Sequence, residues 1–265
     1  MPPLHLQLHN HEDVGRRSKP WMSQGADLPL LNQGALVTGA GRGIGRAIAK
    51  RLAALGCTVL CISRTQSELD ETVRSIGSAA FALPLDISTE GAAEVMIDTM
   101  LRRAGRFDIL VHSAGIMQTG SVEEIQLVEV DRALKVNVCA PYALTQAALP
   151  ALKRSQGQIL FVNSSIIRAA NTAGRGMHAM AQAALKAFAD SLRDEVNNYG
   201  VRVLSILPGR TATPRQEKLF AAAGQPYRPE LLLQPEDVAE LACNALLLSR
   251  TAEATDLFIR PMLKT

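Results

Sequence analysis

Aromatic residues, paired cysteines and long apolar runs are all scarce in this chain. Aromatic side chains account for 4% of its 265 residues and hydrophobic ones for 47%, so the interior must be built from Ala, Leu, Val and Ile. Such a composition suits helices that pack on a buried parallel sheet. The four cysteines, Cys57, Cys61, Cys139 and Cys243, form no CxxC pair. Their spacing excludes disulfide scaffolds and zinc fingers, and it predicts reduced thiols in the core of a cytoplasmic protein.

A strong charge imbalance and membrane-spanning segments are also missing. Lys and Arg exceed Asp and Glu by 28 − 25 = 3, and no basic run alternates with aromatic residues. This pattern argues against binding to nucleic acid. No apolar stretch reaches the roughly 18 residues that a membrane span needs. We therefore expect neither a nucleic acid nor a membrane as a partner.

The first 33 residues differ from the rest because they are polar and show no periodicity. They lack the apolar block of a secretory signal. His5, His9 and His11 lie here without a cysteine or a second spaced pair of histidines, so no metal site is expected. We predict that residues 1–33 form a flexible N-terminal leader, or an arm on a neighbouring subunit, and that one domain occupies residues 34–265.

From residue 34 onward, short aliphatic runs alternate with stretches of 3.6-residue periodicity. This alternation predicts a single α/β domain of the Rossmann type, a doubly wound parallel sheet of about seven strands flanked by helices. The aliphatic runs are 35–37, 58–62, 81–85, 109–111, 159–162, 201–207 and 257–259, and the helical stretches are 44–55, 67–75, 90–104, 128–153, 178–196 and 235–249.

A glycine-rich turn, TGAGRGIG, directly follows the first aliphatic run. Its glycines Gly39, Gly43 and Gly45 permit a tight turn and let the backbone approach a pyrophosphate. A helical stripe begins at Ile44, and the free N–H groups at that end of a helix suit phosphate oxygens. Because a strand precedes the turn and a helix follows it, the segment predicts a dinucleotide-binding site.

The spacing TGxxxGxG resembles that of the classical short-chain dehydrogenase/reductase family, and further landmarks match over almost all of residues 34–265. Asp86 follows the third strand, where the family contacts adenine. Pro208-Gly209 and Thr213 follow the sixth, where the family borders the nicotinamide. The fourth strand departs modestly, with His112-Ser113-Ala114-Gly115 in place of Asn-Asn-Ala-Gly. The cofactor-binding residues that this resemblance implies are Gly39, Arg42, Gly43, Ile44, Gly45, Ser63, Arg64, Asp86, Ile87, Ala114, Gly115, Pro208, Gly209 and Thr213.

The end of the second strand indicates which nicotinamide cofactor is preferred. An NAD-dependent enzyme would place a carboxylate there to hold the ribose 2′-hydroxyl, but this chain reads Ile62-Ser63-Arg64-Thr65. Arg64 suits a 2′-phosphate, and Arg42 in the glycine turn offers a second guanidinium. The alternative is that both are solvated surface arginines. We expect the cofactor to be NADP(H).

The catalytic centre departs from the family pattern. In the family a Tyr transfers the substrate proton, a Lys four residues later lowers the Tyr pKa and holds the nicotinamide ribose, and a Ser orients the substrate carbonyl. The Ser corresponds to Ser165 and the helix asparagine to Asn137, but His178 and Gln182 stand where the Tyr and Lys belong. The resemblance therefore implies an Asn137–Ser165–His178–Gln182 centre.

Two interpretations of this double replacement remain open. An imidazole titrates near ~6.5 without help, so it needs no cationic neighbour, and Gln182 shares a helix face with His178 without adding charge. The pair then works as a retuned proton donor. The same pair would also arise at a site that no longer transfers protons.

Three functions follow from these interpretations. The first is an NADPH-dependent reductase that acts on a small molecule with a conjugated C=C bond, an imine or a ketone. The second is a non-redox enzyme of the same fold, catalysing cyclisation, isomerisation or elimination with His178 as general acid or base. The third is a cofactor-binding protein without chemistry.

Several other segments bear on the substrate and the assembly. Residues 210–232 form a long connection that predicts a binding lid, and Leu219, Phe220 and Tyr227 within it suggest an apolar substrate. Arg168 and Arg175 precede His178 and are candidate contacts for an acidic substrate. The helical stretches 128–153 and 178–196 carry Ala and Leu on more than one face, which predicts a homodimer or homotetramer.

Overall fold

The computed structural model describes residues 28–263 as one α/β domain around a seven-stranded parallel sheet. The strand order is β3-β2-β1-β4-β5-β6-β7, which is the doubly wound order expected from the sequence. The strands are β1 (Gly34–Thr38), β2 (Thr58–Ser63), β3 (Ala80–Pro84), β4 (Ile109–His112), β5 (Gln158–Val162), β6 (Arg202–Pro208) and β7 (Asp256–Ile259).

Eight α-helices connect the strands in the described part of the chain. They are α1 (Gly43–Ala54), α2 (Gln66–Ile76), α3 (Ala92–Ala104), α4 (Leu127–Leu134), α5 (Ala140–Ser155), α6 (Gly176–Val196), α7 (Pro214–Ala222) and α8 (Pro235–Leu246). The apolar stripes of α1 and α8 pack on one face of the sheet, and those of α3, α5 and α6 pack on the other.

The central strands alternate between these two cores. Ala35 and Val37 of β1 point to the α1 and α8 side, whereas Leu36 between them points to the α3, α5 and α6 side. All three are fully buried, because a parallel sheet covered on both faces has no solvent side. Most of the core is aliphatic, as the composition indicates, although Phe107 and Phe161 are also fully buried.

The order in which strands are added to the sheet reverses between β1 and β4. These two parallel strands are neighbours, although β2 and β3 lie between them in the sequence. From β1 the chain first builds β2 and β3 on one side and then returns to build β4 to β7 on the other. A crevice forms at the carboxyl ends of the strands at such a switch point. This crevice is where the predicted site residues collect.

The N-terminal boundary differs from the predicted one. Residues 28–33 fall within the predicted leader, yet Leu30 is buried and its N–H donates to the Leu55 carbonyl oxygen at 2.9 Å. Gln33 accepts a hydrogen bond from the Thr58 N–H at 2.9 Å. The buried Leu30 side chain and these two backbone hydrogen bonds therefore anchor residues 28–33 to the domain. The rest of the predicted leader lies outside the described residues.

One further prediction about an element was wrong. The stretch 128–153 is not one helix, because a π-helical turn at Lys135–Cys139 separates α4 from α5. The connection 210–232, which was predicted to form a binding lid, contains the helix α7, which begins at Pro214 after the Thr213 cap. Proline at the first position of a helix is favourable, and Thr213 accepts a hydrogen bond from the Gln216 N–H at 3.3 Å.

The cysteines are free, but they do not all lie in the core. Cys57, Cys61 and Cys243 are buried, and burial raises the pKa of each thiol to about 12. Cys139 is exposed at the end of the π-helical turn, so the expectation of a core thiol was wrong there. Within residues 28–263, no helix is both long and apolar enough to span a bilayer, and no cluster of three metal-binding side chains occurs.

Candidate active site

A cleft of about 460 Å³ opens at the carboxyl edge of the sheet, between the glycine turn, the N-terminal end of α6 and the first turns of α7. Every residue predicted to bind the cofactor lines it, and so do the four residues of the predicted catalytic centre. The two sets therefore share one continuous space.

The glycine turn has the geometry that close approach of a phosphate requires. Gly39 and Gly43 adopt φ values of +69° and +55°, which side chains other than glycine rarely tolerate. A Cβ on Gly45 would lie 2.3 Å from the Gly39 carbonyl oxygen, so only glycine allows α1 to pack against the turn. The backbone here fits the pyrophosphate of a dinucleotide.

The turn is held from behind by polar side chains that the sequence patterns did not reveal. Arg46 donates from Nε to the Gly41 carbonyl oxygen at 2.9 Å and pairs with Glu71 at 2.8 Å. Thr72 donates to the Ala40 carbonyl oxygen at 3.0 Å. The first turn of α1 contains no acidic residue among those described, so its positive end remains available to an anion.

Two arginines and two acids face one another at the end of the cleft beside β2. Arg42 pairs with Glu68 at 3.1 Å, and Arg64 lies 4.0 Å from Asp86. Glu68 comes from the first turn of α2 and lines the cleft next to Ser63. The sequence showed no acid at the end of the second strand, but the helix that follows supplies one.

Asn137 lies buried in the π-helical turn between α4 and α5. Its amide accepts a hydrogen bond from the Ile116 N–H at 2.8 Å and donates to the Ile116 carbonyl oxygen at 2.9 Å. This pair of bonds fixes the loop that follows β4, including Ala114 and Gly115, along the floor of the cleft. The side chain of Asn137 is thereby fully engaged, and π-helical turns often mark functional sites.

Two adjacent serines follow β5 and have different tasks. Ser164 accepts a hydrogen bond from the Ile166 N–H at 3.2 Å and so caps the short 3-10 turn that follows. Ser165 lines the cleft, and its hydroxyl has no partner in the described part of the chain. Ser165 is therefore the serine whose hydroxyl is available to a ligand.

His178 and Gln182 lie one turn apart on α6 and both line the cleft. The Nδ1 atom of His178 and the Oε1 atom of Gln182 are buried without a hydrogen-bond partner within residues 28–263. Buried polar atoms are normally paired, so two unpaired atoms four residues apart call for an explanation. Both residues line the cleft, but these two atoms are closed off from it in the present side-chain orientation.

The environment of His178 changes its acid–base chemistry. Burial, together with the charges of Arg215 and Arg175, lowers the pKa of its imidazole from 6.5 to about 4, and burial is the largest of these causes. The expectation of titration near 6.5 was therefore wrong for the protein without ligands. Sequence reasoning did not include the desolvation or the two nearby cations, and at neutral pH this imidazole is uncharged.

Arg215 is a site residue that sequence reasoning missed. It stands in the first turn of α7 and donates to the Gly115 carbonyl oxygen at 2.5 Å across the cleft. Its side chain stays accessible through the open cleft although protein surrounds it, and this desolvation together with Arg42 lowers its pKa. The signal that could have found it is its position two residues after Thr213, but the segment was interpreted as a loop.

The other predicted substrate contacts divide into two groups. Arg175 and Leu219 line the cleft. Arg168 instead stacks on the ring of Phe258, with its guanidinium carbon 3.8 Å from the ring centroid. Phe220 and Tyr227 pack against each other with their ring centroids 5.8 Å apart and are not among the residues that line the cleft. The support for an apolar substrate therefore reduces to Leu219 and the aliphatic residues near the strand ends.

A model of the short chain dehydrogenase family matches residues 33–224. The chain belongs to this family. The short-chain reductase protein NovJ of Streptomyces niveus is 35% identical over 193 residues, which cover 72% of this chain and 73% of NovJ.

Two solved structures share the fold. A short chain dehydrogenase from Burkholderia cenocepacia in complex with NADP is 31% identical, with a TM-score of 0.78 over 87% of this chain and 97% of that chain. A metagenomic short-chain oxidoreductase in complex with NADP is 27% identical, with a TM-score of 0.77 over 89% of this chain and 100% of that chain. Both comparisons agree with the sheet order described above.

As a short-chain dehydrogenase, this chain is unusual in the polar groups it presents to the cleft. Among the described residues that line it, there is neither a Tyr nor a Lys. The ionisable side chains at the β2 end are Arg42, Glu68, Arg64 and Asp86, and those near α6 and α7 include His178, Arg175 and Arg215. Any proton transfer near α6 therefore depends on His178 or on the ligands themselves.

Proposed function

We propose that this protein is an NADPH-dependent reductase of the short-chain dehydrogenase family that reduces a polarised double bond in a small molecule. One observation carries the proposal: a single cleft joins the glycine turn to the side chains of Ser165, His178 and Gln182. A cofactor in the turn would thus extend toward groups that are able to orient a substrate.

The residues present fit NADP(H). The glycine turn and the N-terminal end of α1 would hold the pyrophosphate, and Arg42 and Arg64 are placed where a 2′-phosphate needs positive charge. Asp86 and Ile87 would border the adenine, and Pro208, Gly209 and Thr213 the nicotinamide, as the family resemblance implies. Two related structures contain NADP, which supports the same assignment.

The chain's own residues would orient the substrate and exclude water from it. When bound, the reduced nicotinamide supplies the hydride. Ser165 would donate a hydrogen bond to the heteroatom on which negative charge develops, and His178 would donate a second one from its N–H. Gln182 would orient the imidazole or a ribose hydroxyl through its free oxygen, and Asn137 keeps the opposite wall in place through Ile116.

The low pKa of His178 narrows the choice of substrate. A neutral imidazole donates a hydrogen bond but releases a proton reluctantly. Conjugated C=C bonds and imines need less help than a simple ketone. Conjugate addition places the charge on a distant oxygen, and an imine arrives already protonated in part. We therefore favour an electron-poor alkene or an imine as the hydride acceptor.

The experiment is anaerobic mixing of the protein with NADPH and a panel of enones, imines and ketones, followed through NADPH absorbance. We expect oxidation of NADPH with at least one enone or imine. Ser165→Ala and His178→Phe should each lower kcat by about 100-fold or more. Ser164→Ala, which removes a neighbouring hydroxyl engaged in capping, is the matched control and should retain most activity. No NADPH oxidation across all three substrate classes would refute the proposal.

The unprotonated state of His178 supports a second candidate, a non-redox enzyme in which its free Nδ1 atom acts as a general base. Such an enzyme would catalyse isomerisation or elimination with NADP(H) bound. The distinguishing result is substrate turnover, or uptake of deuterium from D2O, without any change in NADPH absorbance. Cofactor binding with neither result would favour the non-catalytic alternative.

A further inference from the structure

We propose that the substrate carries a carboxylate, and that Arg175 and Arg215 bind this group beside His178. The inference rests on the proposed function and adds to it the chemical class of the substrate. Its basis is the position of two guanidinium groups that reach the same part of the cleft from different elements. Each of them lacks a carboxylate partner in the described part of the chain.

Arg215 reaches the cleft from the first turn of α7. Within residues 28–263, its one hydrogen bond goes from Nη2 to the Gly115 carbonyl oxygen, at 2.5 Å. A guanidinium carries five N–H donors, so most of them remain available. The side chain is accessible from the open cleft, so these donors can be reached by a ligand.

Arg175 approaches from the opposite side, at the residue that precedes α6. It donates from Nη2 to the Asn171 carbonyl oxygen at 2.9 Å and forms no ion pair with a described residue. The end of α6 that it flanks has no side-chain cap and no acidic residue in its first turn among the residues described. The positive end of this 21-residue helix therefore adds to the two guanidinium groups.

The charges along the cleft are segregated. The acids that line it within residues 28–263 are Glu68 and Asp86, and both lie at the β2 end, facing Arg42 and Arg64. The end beside His178 has arginines without such acids. A carboxylate fits this end because a guanidinium can bind its two oxygens with parallel hydrogen bonds.

Carboxylate binding would also raise the pKa of the His178 imidazole. Arg215 and Arg175 both lower the pKa of its imidazole, so an anion between them would offset part of that effect and raise the pKa. The substrate would thereby make His178 a better proton donor at the moment the donor is needed. This explains how an imidazole that is neutral in the free protein still contributes a proton to the reaction.

The test compares two probes of nearly equal size and shape, the anion 4-phenylbutanoate and the neutral 4-phenylbutanamide, titrated into the full chain with saturating NADP+ by calorimetry. We expect the carboxylate to bind at least ten times more tightly than the amide. Arg175→Gln and Arg215→Gln should each abolish most of this preference. Arg168→Gln, which alters the arginine that stacks on Phe258 outside the cleft, is the matched control and should keep it.

A second readout is the His178 imidazole resonance, assigned with His178→Asn. We expect 4-phenylbutanoate to raise its pKa and 4-phenylbutanamide to leave it unchanged. Equal binding of the two probes would overturn the proposal. So would an Arg215→Gln variant that loses affinity for NADP+ but still prefers the carboxylate, because Arg215 would then serve the cofactor's phosphates.

The outcome separates this inference from the proposed function. If NADP+ binds and NADPH is oxidised but no carboxylate preference exists, the inference fails and the reductase stands. If NADP+ does not bind, the reductase fails, and the same probes are titrated into the protein alone. A carboxylate preference that both Arg175→Gln and Arg215→Gln remove would still support the anion site, and its absence would overturn it.

Discussion

An imidazole cannot simply replace a phenol at the centre of this site, because its chemistry is set by the groups around it. In the resembled family a Lys⁺ lowers the pKa of a Tyr, whereas here Gln182 contributes no charge and the nearby cations are arginines on other elements. A cation beside an imidazole disfavours its protonated form. The substitution is therefore coherent only if a bound anion restores the balance, which is what the carboxylate proposal supplies.

Cofactor preference is a second question at the level of single residues. Arg42 pairs with Glu68 at 3.1 Å beside the expected position of the 2′-phosphate. Removing the guanidinium removes charge-assisted hydrogen bonds worth about 1.5–3 kcal/mol each. We expect Arg42→Gln to weaken NADPH binding by about 10- to 100-fold and to leave NADH binding almost unchanged. We expect Glu68→Gln to strengthen NADPH binding, because it frees Arg42 and removes a carboxylate that would repel the 2′-phosphate.

Fluorescence titration with NADPH and NADH measures both affinities. Arg102→Gln is a suitable control because Arg102 is exposed on α3 and pairs with Asp98, away from the cleft. Its affinities should match those of the unmodified protein. If Arg42→Gln weakens NADPH and NADH binding equally, Arg42 contacts a part of the cofactor that both share, and the proposed 2′-phosphate preference is wrong.

The π-helical turn between α4 and α5 illustrates how one element positions the site. Asn137 makes two hydrogen bonds to Ile116, both from a buried side chain. Asn137→Ala leaves the Ile116 N–H and carbonyl oxygen without these partners, which should cost about 2–3 kcal/mol of unfolding free energy. Because the same bonds hold the loop of Ala114 and Gly115, we also expect a clear loss of NADP(H) affinity.

Urea unfolding followed by circular dichroism measures the stability change through the midpoint at constant m-value. Asn197→Ala is the control. Asn197 bonds to Glu253 at the protein surface, so its removal should change the midpoint little. A variant Asn137→Ala with normal stability and normal cofactor affinity would contradict the role assigned to the π-helical turn.

Most elements were predictable because their patterns are local. The glycine turn, the seven strands and the stripes of α1 and α8 follow from spacing and burial. The break at Lys135–Cys139 was not predictable, since α4 and α5 continue one apolar periodicity and the π-turn depends on the Asn137 contact with Ile116. The helix α7 was missed because Pro214, Pro226 and Pro229 made the whole connection 210–232 resemble a loop.

The site residues were predictable where a local sequence pattern places them, and they were missed where a tertiary contact does. Residues tied to strand ends, such as Ser165 and Pro208, were placed in the cleft by their sequence position alone. Glu68, Arg46 and Arg215 were missed because they reach the site from helix turns whose orientation depends on packing. The low pKa of His178 was missed for the same reason, since it depends on burial and on the nearby charges of Arg215 and Arg175 in the folded protein.

At the scale of the whole molecule, exposed apolar side chains remain on the helices that were expected to pack between subunits. They include Leu127 and Val128 of α4, Tyr142 of α5 and Met180 of α6. Their positions are consistent with a two-fold assembly through this face. The homodimer or homotetramer stays a prediction.

The stability of the whole domain should depend on pH through its two described histidines. His112 is buried, stacks on Phe161 and bonds to Thr145 Oγ1 through Nε2 at 2.9 Å, and burial lowers its pKa to about 3. The pKa of His178 is lowered to about 4. Both values lie below the ~6.5 of an unfolded chain, so below about pH 6.5 the unfolded state binds protons that the folded state does not.

Acid therefore lowers the free energy of unfolding. These histidines stabilise the fold fully above about pH 6.5, and the stability falls as the pH falls toward 4. Each contributes a slope of up to about 1.4 kcal/mol per pH unit in that window. His112→Asn keeps a polar partner for Thr145 but removes the titration, so its urea midpoint should change less between pH 6.5 and 4.5 than that of the unmodified protein. An equal loss in both would show that His112 does not titrate with unfolding, and the buried, neutral imidazole described here would have to be abandoned.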